Sequence, residues 1–177
     1  MADVTDRSTI TTERLLLQPL RVEDADHMVE VLADPALHEF TGGEPATLGH
    51  LRDRYASWVR GSGSDAEQWL NWTVRRVVDG APVGAMQATI EIVDSVPQAS
   101  VAWTIGSTWQ RQGYASEATI GLLQWLDRQG IRSVLANIHP GHEASAKVAT
   151  NAGLRPTDDV VDGEVVWRLS ADGNQSV

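Results

Sequence analysis

Apolar positions recur with two different periods along this chain, and the switches between them mark its elements. Residues 14–19 form a short apolar run, a candidate first strand. Residues 22–33 then place Ala25, Met28, Val29 and Leu32 at helical spacing. Acidic residues fill the first turn, and Asp34-Pro35 ends it. Thr47 is a candidate cap for a second helix reaching about Arg60, with Leu48, Leu51, Tyr55, Trp58 and Val59 as its buried stripe. After a Gly-Ser break at 61–64 the period becomes two. Leu70, Trp72 and Val74 alternate with polar neighbours, Asp79-Gly80 offers a hairpin turn, and residues 83–93 and 98–105 read as two further strands. Helical spacing returns over residues 115–129 and stops at Gly130. Residues 133–138 form a fifth strand. Residues 143–152 form a fourth helix, with Gly153 just past its end, and Asp162-Gly163 turns a last hairpin into residues 165–169.

The resulting order, βααβββαβαββ, predicts a mixed α/β sheet of seven strands with four helices. The helix between the strands ending at Ile105 and starting at Ser133 requires a parallel crossover there. A length of 177 residues fits one domain. Its core is expected over about 10–170, with loose polar ends at 1–9 and 172–177. Composition removes several classes of function. Cysteine is absent, which excludes disulfides, thiolate metal sites and cysteine nucleophiles, and no metal is expected. Nothing resembles a signal peptide or a membrane span, so the cytoplasm is the expected compartment. The net charge of −10 argues against nucleic acid and suits a cationic partner such as an amine.

Residues 101–118, VAWTIGSTWQRQGYASEA, carry the candidate chemistry. A strand ends near Ile105, a loop follows, and a helix starts around Ala115. Within the loop, Gly113 and Ala115 leave room for close approach, and Arg111 adds a charge. Such a strand–loop–helix points backbone N–H groups at one spot, at the positive end of a helix, a geometry that binds phosphate or pyrophosphate. On spacing alone an ordinary tight surface turn fits equally well. The loop lacks the glycine patterns of dinucleotide and P-loop sites.

Gln110-x-x-Gly113-x-Ala115 resembles the Q/R-x-x-G-x-G/A signature of the GNAT superfamily of N-acetyltransferases. More narrowly, the chain resembles the ribosomal-protein acetyltransferase (RimJ/RimL) branch. Residues 12–20, TERLLLQPL, resemble that branch's opening T-x-R-L-x-L-R-P strand. Trp109 through Glu117-Ala118 resembles its W-G-x-G-Y-A-T-E-A. Residues 139–145, HPGHEAS, resemble its H-P-x-N-x-A-S, and Gly153-Leu154 stands at its G-F. These stretches occur in the right order and on the right element types, and they span the chain from about Thr12 to Leu169.

The resemblance implies a three-layer GNAT fold with a mostly antiparallel seven-stranded sheet and a splayed parallel strand pair. It implies acetyl-CoA as co-substrate. Gln110, Arg111, Gln112, Gly113, Tyr114, Ala115 and Ser116 would wrap the pyrophosphate, mostly by main-chain donors. Trp103, Thr104 and Ile105 would lie beside the pantetheine arm and pair with its amides as a strand would. His142 replaces the family's Asn at a cofactor contact. Ala149 stands where many GNAT enzymes carry a Tyr acid. Ser145 takes the place of a Ser often found in the branch, and would hydrogen-bond the cofactor or protonate the leaving thiolate, unless it bonds back to its own helix. The base is not carried over by motif, because Ser100 stands where the family often has Glu. Glu91, Asp94 and His139 are candidates, Glu91 first. The Ile105 N–H is a candidate oxyanion donor. The expected function is transfer of an acetyl or related acyl group to a primary amine of a small molecule or protein N-terminus, by direct attack in a ternary complex. The alternative is a domain of the same fold that senses acyl-CoA without turnover. A homodimer is compatible with the resemblance.

Overall fold

The computed structural model describes residues 8–64 and 66–169. The ends expected to be loose lie outside these bounds, apart from exposed Ser8 and Thr9. The strands are β1 (Ile10–Thr11), β2 (Leu15–Pro19), β3 (Glu67–Arg76), β4 (Pro82–Val93), β5 (Val96–Ile105), β6 (Ser133–Ile138), β7 (Leu154–Val161) and β8 (Glu164–Leu169). The helices are α1 (Ala25–Val31), α2 (Leu48–Arg60), α3 (Tyr114–Arg128) and α4 (Glu143–Asn151). Short 3₁₀ turns occupy Val22–Asp24, Pro35–His38 and Ser107–Trp109.

One sheet in the order β1-β2-β3-β4-β5-β6-β8-β7 joins all eight strands. The expected count of seven is corrected by β1, two residues long, which pairs Ile10 with Leu17. Two residues cannot display a period, so the hydrophobic pattern gave no sign of it. All neighbouring strands are antiparallel except β5 and β6, which are parallel as the intervening α3 requires.

Alternation decides which face each strand buries. Leu15 and Leu17 on β2, Leu70, Trp72 and Val74 on β3, and Met86, Ala88 and Ile90 on β4 are buried with Leu122, Trp125 and Leu126 of α3. Trp125 meets Trp72 edge-on at 5.4 Å between centroids. A second core holds Leu20, Ala25, Met28, Leu51 and Tyr55, placing α1 and α2 together against β3 and β4. The sheet is thus a middle layer between the α1–α2 pair and α3. Between α1 and the sheet, Asp24 accepts bonds from the Thr73 hydroxyl (2.8 Å) and the Arg21 N–H (2.9 Å), and pairs with Arg75 at 2.8 Å.

Thr47 caps α2 as expected, its hydroxyl accepting the His50 N–H at 3.3 Å. The stripe is narrower than predicted. Val59 is 42% exposed, because it lies about 100° around the helix from Trp58 and falls past the apolar edge. Among the described residues no helix is long and apolar enough to cross a membrane.

Candidate active site

The parallel pair pulls apart. β5 and β6 are in register only from Gln98↔Ser133 to Ser100↔Leu135. Beyond that, β6 keeps its other partner, β8, from Leu135 to Ile138, while β5 runs on to Ile105 bonded only to β4. The Gly106 N–H donates to the Val83 carbonyl at 2.9 Å, on the β4 side. Strand alternation therefore turns the N–H groups of Ile105 and Trp103 the other way, into the gap. A row of strand donors and acceptors faces the gap with no strand to receive it.

The chain leaves β5 through Gly106, where a Cβ would come within 2.7 Å of the Val31 carbonyl at the end of α1. Glycine thus lets α1 press against the start of the loop. Gln110 folds back and donates from Nε2 to the Ile105 carbonyl at 3.0 Å. Arg111 (φ 63°) and Gly113 (φ 82°) are both left-handed, and Gly113 opens α3 with no side chain capping the helix. Uncapped N–H groups at a helix start carry partial positive charge and seek an anion.

The opening strand motif serves this loop. Glu117, on the first turn of α3, accepts from the Thr12 hydroxyl (2.6 Å), the Arg14 N–H (2.8 Å) and the Arg14 guanidinium (2.7 Å). Burial pushes its carboxyl up, but the Thr12 and Arg14 bonds and the Arg14 charge outweigh that and hold it below its ordinary value. Arg14 also lies over the Tyr114 ring at 4.9 Å and donates to the Gln112 carbonyl at 3.0 Å. Arg76, paired with Asp79, covers the Trp109 ring at 4.6 Å.

Gap, loop and α4 border a cleft of about 740 Å³. Of the predicted cofactor residues, Trp103, Thr104, Ile105, Gln110, Arg111, Gly113, Tyr114, Ala115, Ser116, His142 and Ser145 all line it. Gln112 does not; its carbonyl accepts from the Arg14 guanidinium at 3.0 Å. Glu91 is exposed at the other end of β4, opposite Gln98. The part of β5 that lines the cleft starts at Trp103, opposite Met86, which is five residues or about 17 Å along β4, and Glu91 is not in the lining. Asp94 lies in the hairpin beyond it. Trp72 is core, and Trp69 borders a separate small pocket with Trp58 and Pro19. His139 sits near the cleft and accepts the Gly141 N–H at Nδ1, 3.1 Å.

On α4, the Ser145 hydroxyl is half-buried in the cleft wall and makes no hydrogen bond among the described residues. Thr150 on the same helix does bond back, to the Ala146 carbonyl at 2.9 Å. Ala149 is fully buried and faces the core, so a longer residue there would need different packing. Asn151 donates to the Ser116 hydroxyl at 3.0 Å and ties α4 to the start of α3.

The third wall comes from a segment that periodicity did not mark. Glu39, Phe40 and Thr41, just after the turn Pro35–His38, line the cleft. Phe40 stacks on His142 with centroids 4.4 Å apart and an interplanar angle of 16°. Burial lowers the His142 pKa, with His139 adding to the effect and Glu39 opposing it, so the imidazole is neutral at pH 7. Asp34 secures the segment: hydrogen bonds from Ser107 and from the Ala36 N–H lower its pKa. Lys147, the chain's one lysine, also lines the cleft. Among the described residues no three His, Asp or Glu side chains come together as a metal site would need.

The family model described as acetyltransferase (GNAT) domain matches residues 14–155. The chain belongs to the GNAT acetyltransferase family. The enzyme is thus an acetyl-CoA-dependent acyltransferase. Similar solved structures carry the same fold. RimL, a ribosomal L7/L12 alpha-N-protein acetyltransferase in complex with coenzyme A, aligns with TM-score 0.76 and 15% identity over 91% of this chain and 97% of that one. A GNAT-family acetyltransferase from Bacillus anthracis gives 0.70 and 18% over 91% and 94%. AAC(6')-Ib in complex with Parmomycin and AcetylCoA gives 0.71 and 15% over 88% and 92%. No curated protein matches the enzyme in sequence.

Proposed function

We propose that the enzyme moves an acetyl group from acetyl-CoA to a primary amine, of a small molecule or a protein N-terminus, by direct attack with both substrates bound. The observation that carries this is the β5–β6 gap, which opens beside an uncapped helix N-terminus within one cleft. Coenzyme A needs an anion site, then amide partners along its arm, then room at the thiol. The cleft offers these in that sequence. The N–H groups at the start of α3 and the Arg111 guanidinium suit the pyrophosphate. The free edge at Trp103 and Ile105 suits the pantetheine amides. Ser145 and His142 border the far end.

Bound there, acetyl-CoA supplies the activated acyl group. The Ile105 N–H, aimed into the gap, would donate to the carbonyl oxygen as charge develops on it. The free Ser145 hydroxyl would donate to the leaving sulfur. An incoming ammonium must lose a proton before it attacks, and the neutral His142 imidazole can accept one inside the cleft. With no cysteine available, an acyl-enzyme is not part of the proposal.

Thiol release from acetyl-CoA with a panel of amines tests the reading. At least one amine should raise release above the rate of hydrolysis, with intersecting double-reciprocal lines when both substrates are varied. Binding of CoA with no response to any amine refutes transfer, and parallel lines refute direct attack.

A further inference from the structure

Two opposite charge environments meet in the cleft, and they are built from different parts of the chain. Arg111, Lys147 and the start of α3 bring positive charge to its lining. Glu39 lies on the separate segment 39–41, which also lines the cleft. Two contacts anchor the chain around Glu39. On one side Asp34 accepts the Ala36 N–H at 2.9 Å; on the other, Phe40 stacks on His142 at 4.4 Å. Glu39 itself is exposed and makes no ion pair among the described residues. Burial lowers the pKa of His142 although the Glu39 charge opposes it, and the two side chains form no ion pair. A carboxylate held at a cleft wall, without a partner, beside an aromatic ring, is suited to a cation.

We infer that Glu39 is the acceptor-selecting residue: it receives a second positive charge on the acceptor, apart from the amine that is acylated. This rests on the cleft being the acyl-transfer site. It narrows the acceptor to an amine with a further cationic group a few bonds away, a polyamine-like chemistry. The other unpaired carboxylate lining the cleft, Glu143, is in the first turn of α4, where the helix dipole already favours it.

Equilibrium titration in the presence of saturating coenzyme A reads the preference without turnover. Diamines of three to eight carbons are compared with amino-alcohols of the same length, for wild type, Glu39→Gln, Glu39→Lys and Glu143→Gln. Wild type should bind the best diamine about tenfold more tightly than its amino-alcohol, the order expected for a charge-assisted contact in a half-open site. Glu39→Gln should remove the preference and Glu39→Lys reverse it, with amino-alcohol affinity unchanged. The inference is overturned if wild type has no preference, if Glu39→Gln leaves it intact, if it weakens both ligand classes equally, or if only Glu143→Gln removes it. Thiol release is judged separately. Any of these results leaves the acyl-transfer reading standing wherever an amine still raises release, and loss of release leaves the binding preference measurable.

Discussion

Gly113 separates the electrostatics of the loop from its backbone geometry. It sits at φ 82°, ψ 2°, immediately before α3. An ordinary L-residue in that region costs about 1–2 kcal/mol, but Asn and Asp tolerate it better. Gly113→Asn and Gly113→Asp therefore share shape and backbone strain and differ by one negative charge. Without ligand the Asp variant should be the slightly more stable one, by about 0.3–1 kcal/mol, because the charge lies at a helix N-terminus. With ligand the sign changes. A carboxylate about 5 Å from a phosphate charge is repelled by about 3 kcal/mol at an effective dielectric near 20, and by under 1 kcal/mol in water. The Arg14 guanidinium, with Nη2 3.4 Å from where a Cβ would stand, offsets part of this but is already shared with Glu117. The expected Asp–Asn difference is about 1.4–2.8 kcal/mol, a tenfold to hundredfold weaker Kd for coenzyme A. Calorimetric titration of both variants, with thermal unfolding as the folding control, reads it. Unfolding midpoints should agree within a few degrees. Equal affinities, within twofold, would refute an anion site at the start of α3.

Further tests address other parts of the molecule. Ser145→Ala should lower kcat by about a hundredfold while leaving the Kd of coenzyme A nearly unchanged, if the hydroxyl assists the leaving sulfur; a loss confined to Kd would make it a binding contact only. Asp24→Ala strands Arg75 and the buried Thr73 hydroxyl, and should destabilise the fold by about 2–3 kcal/mol in urea unfolding. Glu117 has a lowered pKa, so its contribution to stability is complete above the unfolded carboxyl value of about 4.3 and is lost as pH falls through the lower folded value. Unfolding curves across that acidic range should be flatter for Glu117→Gln than for wild type.

Much of this architecture could be read from the chain because it depends on local pattern. Leu70, Trp72 and Val74 alternate because β3 buries one face, and Thr47 precedes α2 because a helix start needs an acceptor. The strand–loop–helix from Val101 to Ala118 could be placed for the same reason, and nine of the cofactor residues predicted in it, together with His142 and Ser145, line one cleft. Glu91 could not be judged that way. Its residue type suits a base, but distance along β4 separates it from the cleft lining, and distance appears only when the strand is laid out in the sheet. Glu39 and Phe40 carried no signal, since an aperiodic loop records nothing about which wall it will complete. The two-residue β1 was equally silent.

The sequence by itself determined the order of elements, the parallel crossover and the loop that opens α3. These follow from hydrophobic period, turn chemistry and the conformational freedom of glycine, all of which act over a few residues. Only the tertiary structure decided that β5 parts from β6 after Ser100, that Arg14 and Thr12 brace the loop through Glu117, and that Phe40 covers His142. Each joins residues distant in the chain, and the energy that brings them together is packing and ion pairing across layers, which no local pattern encodes.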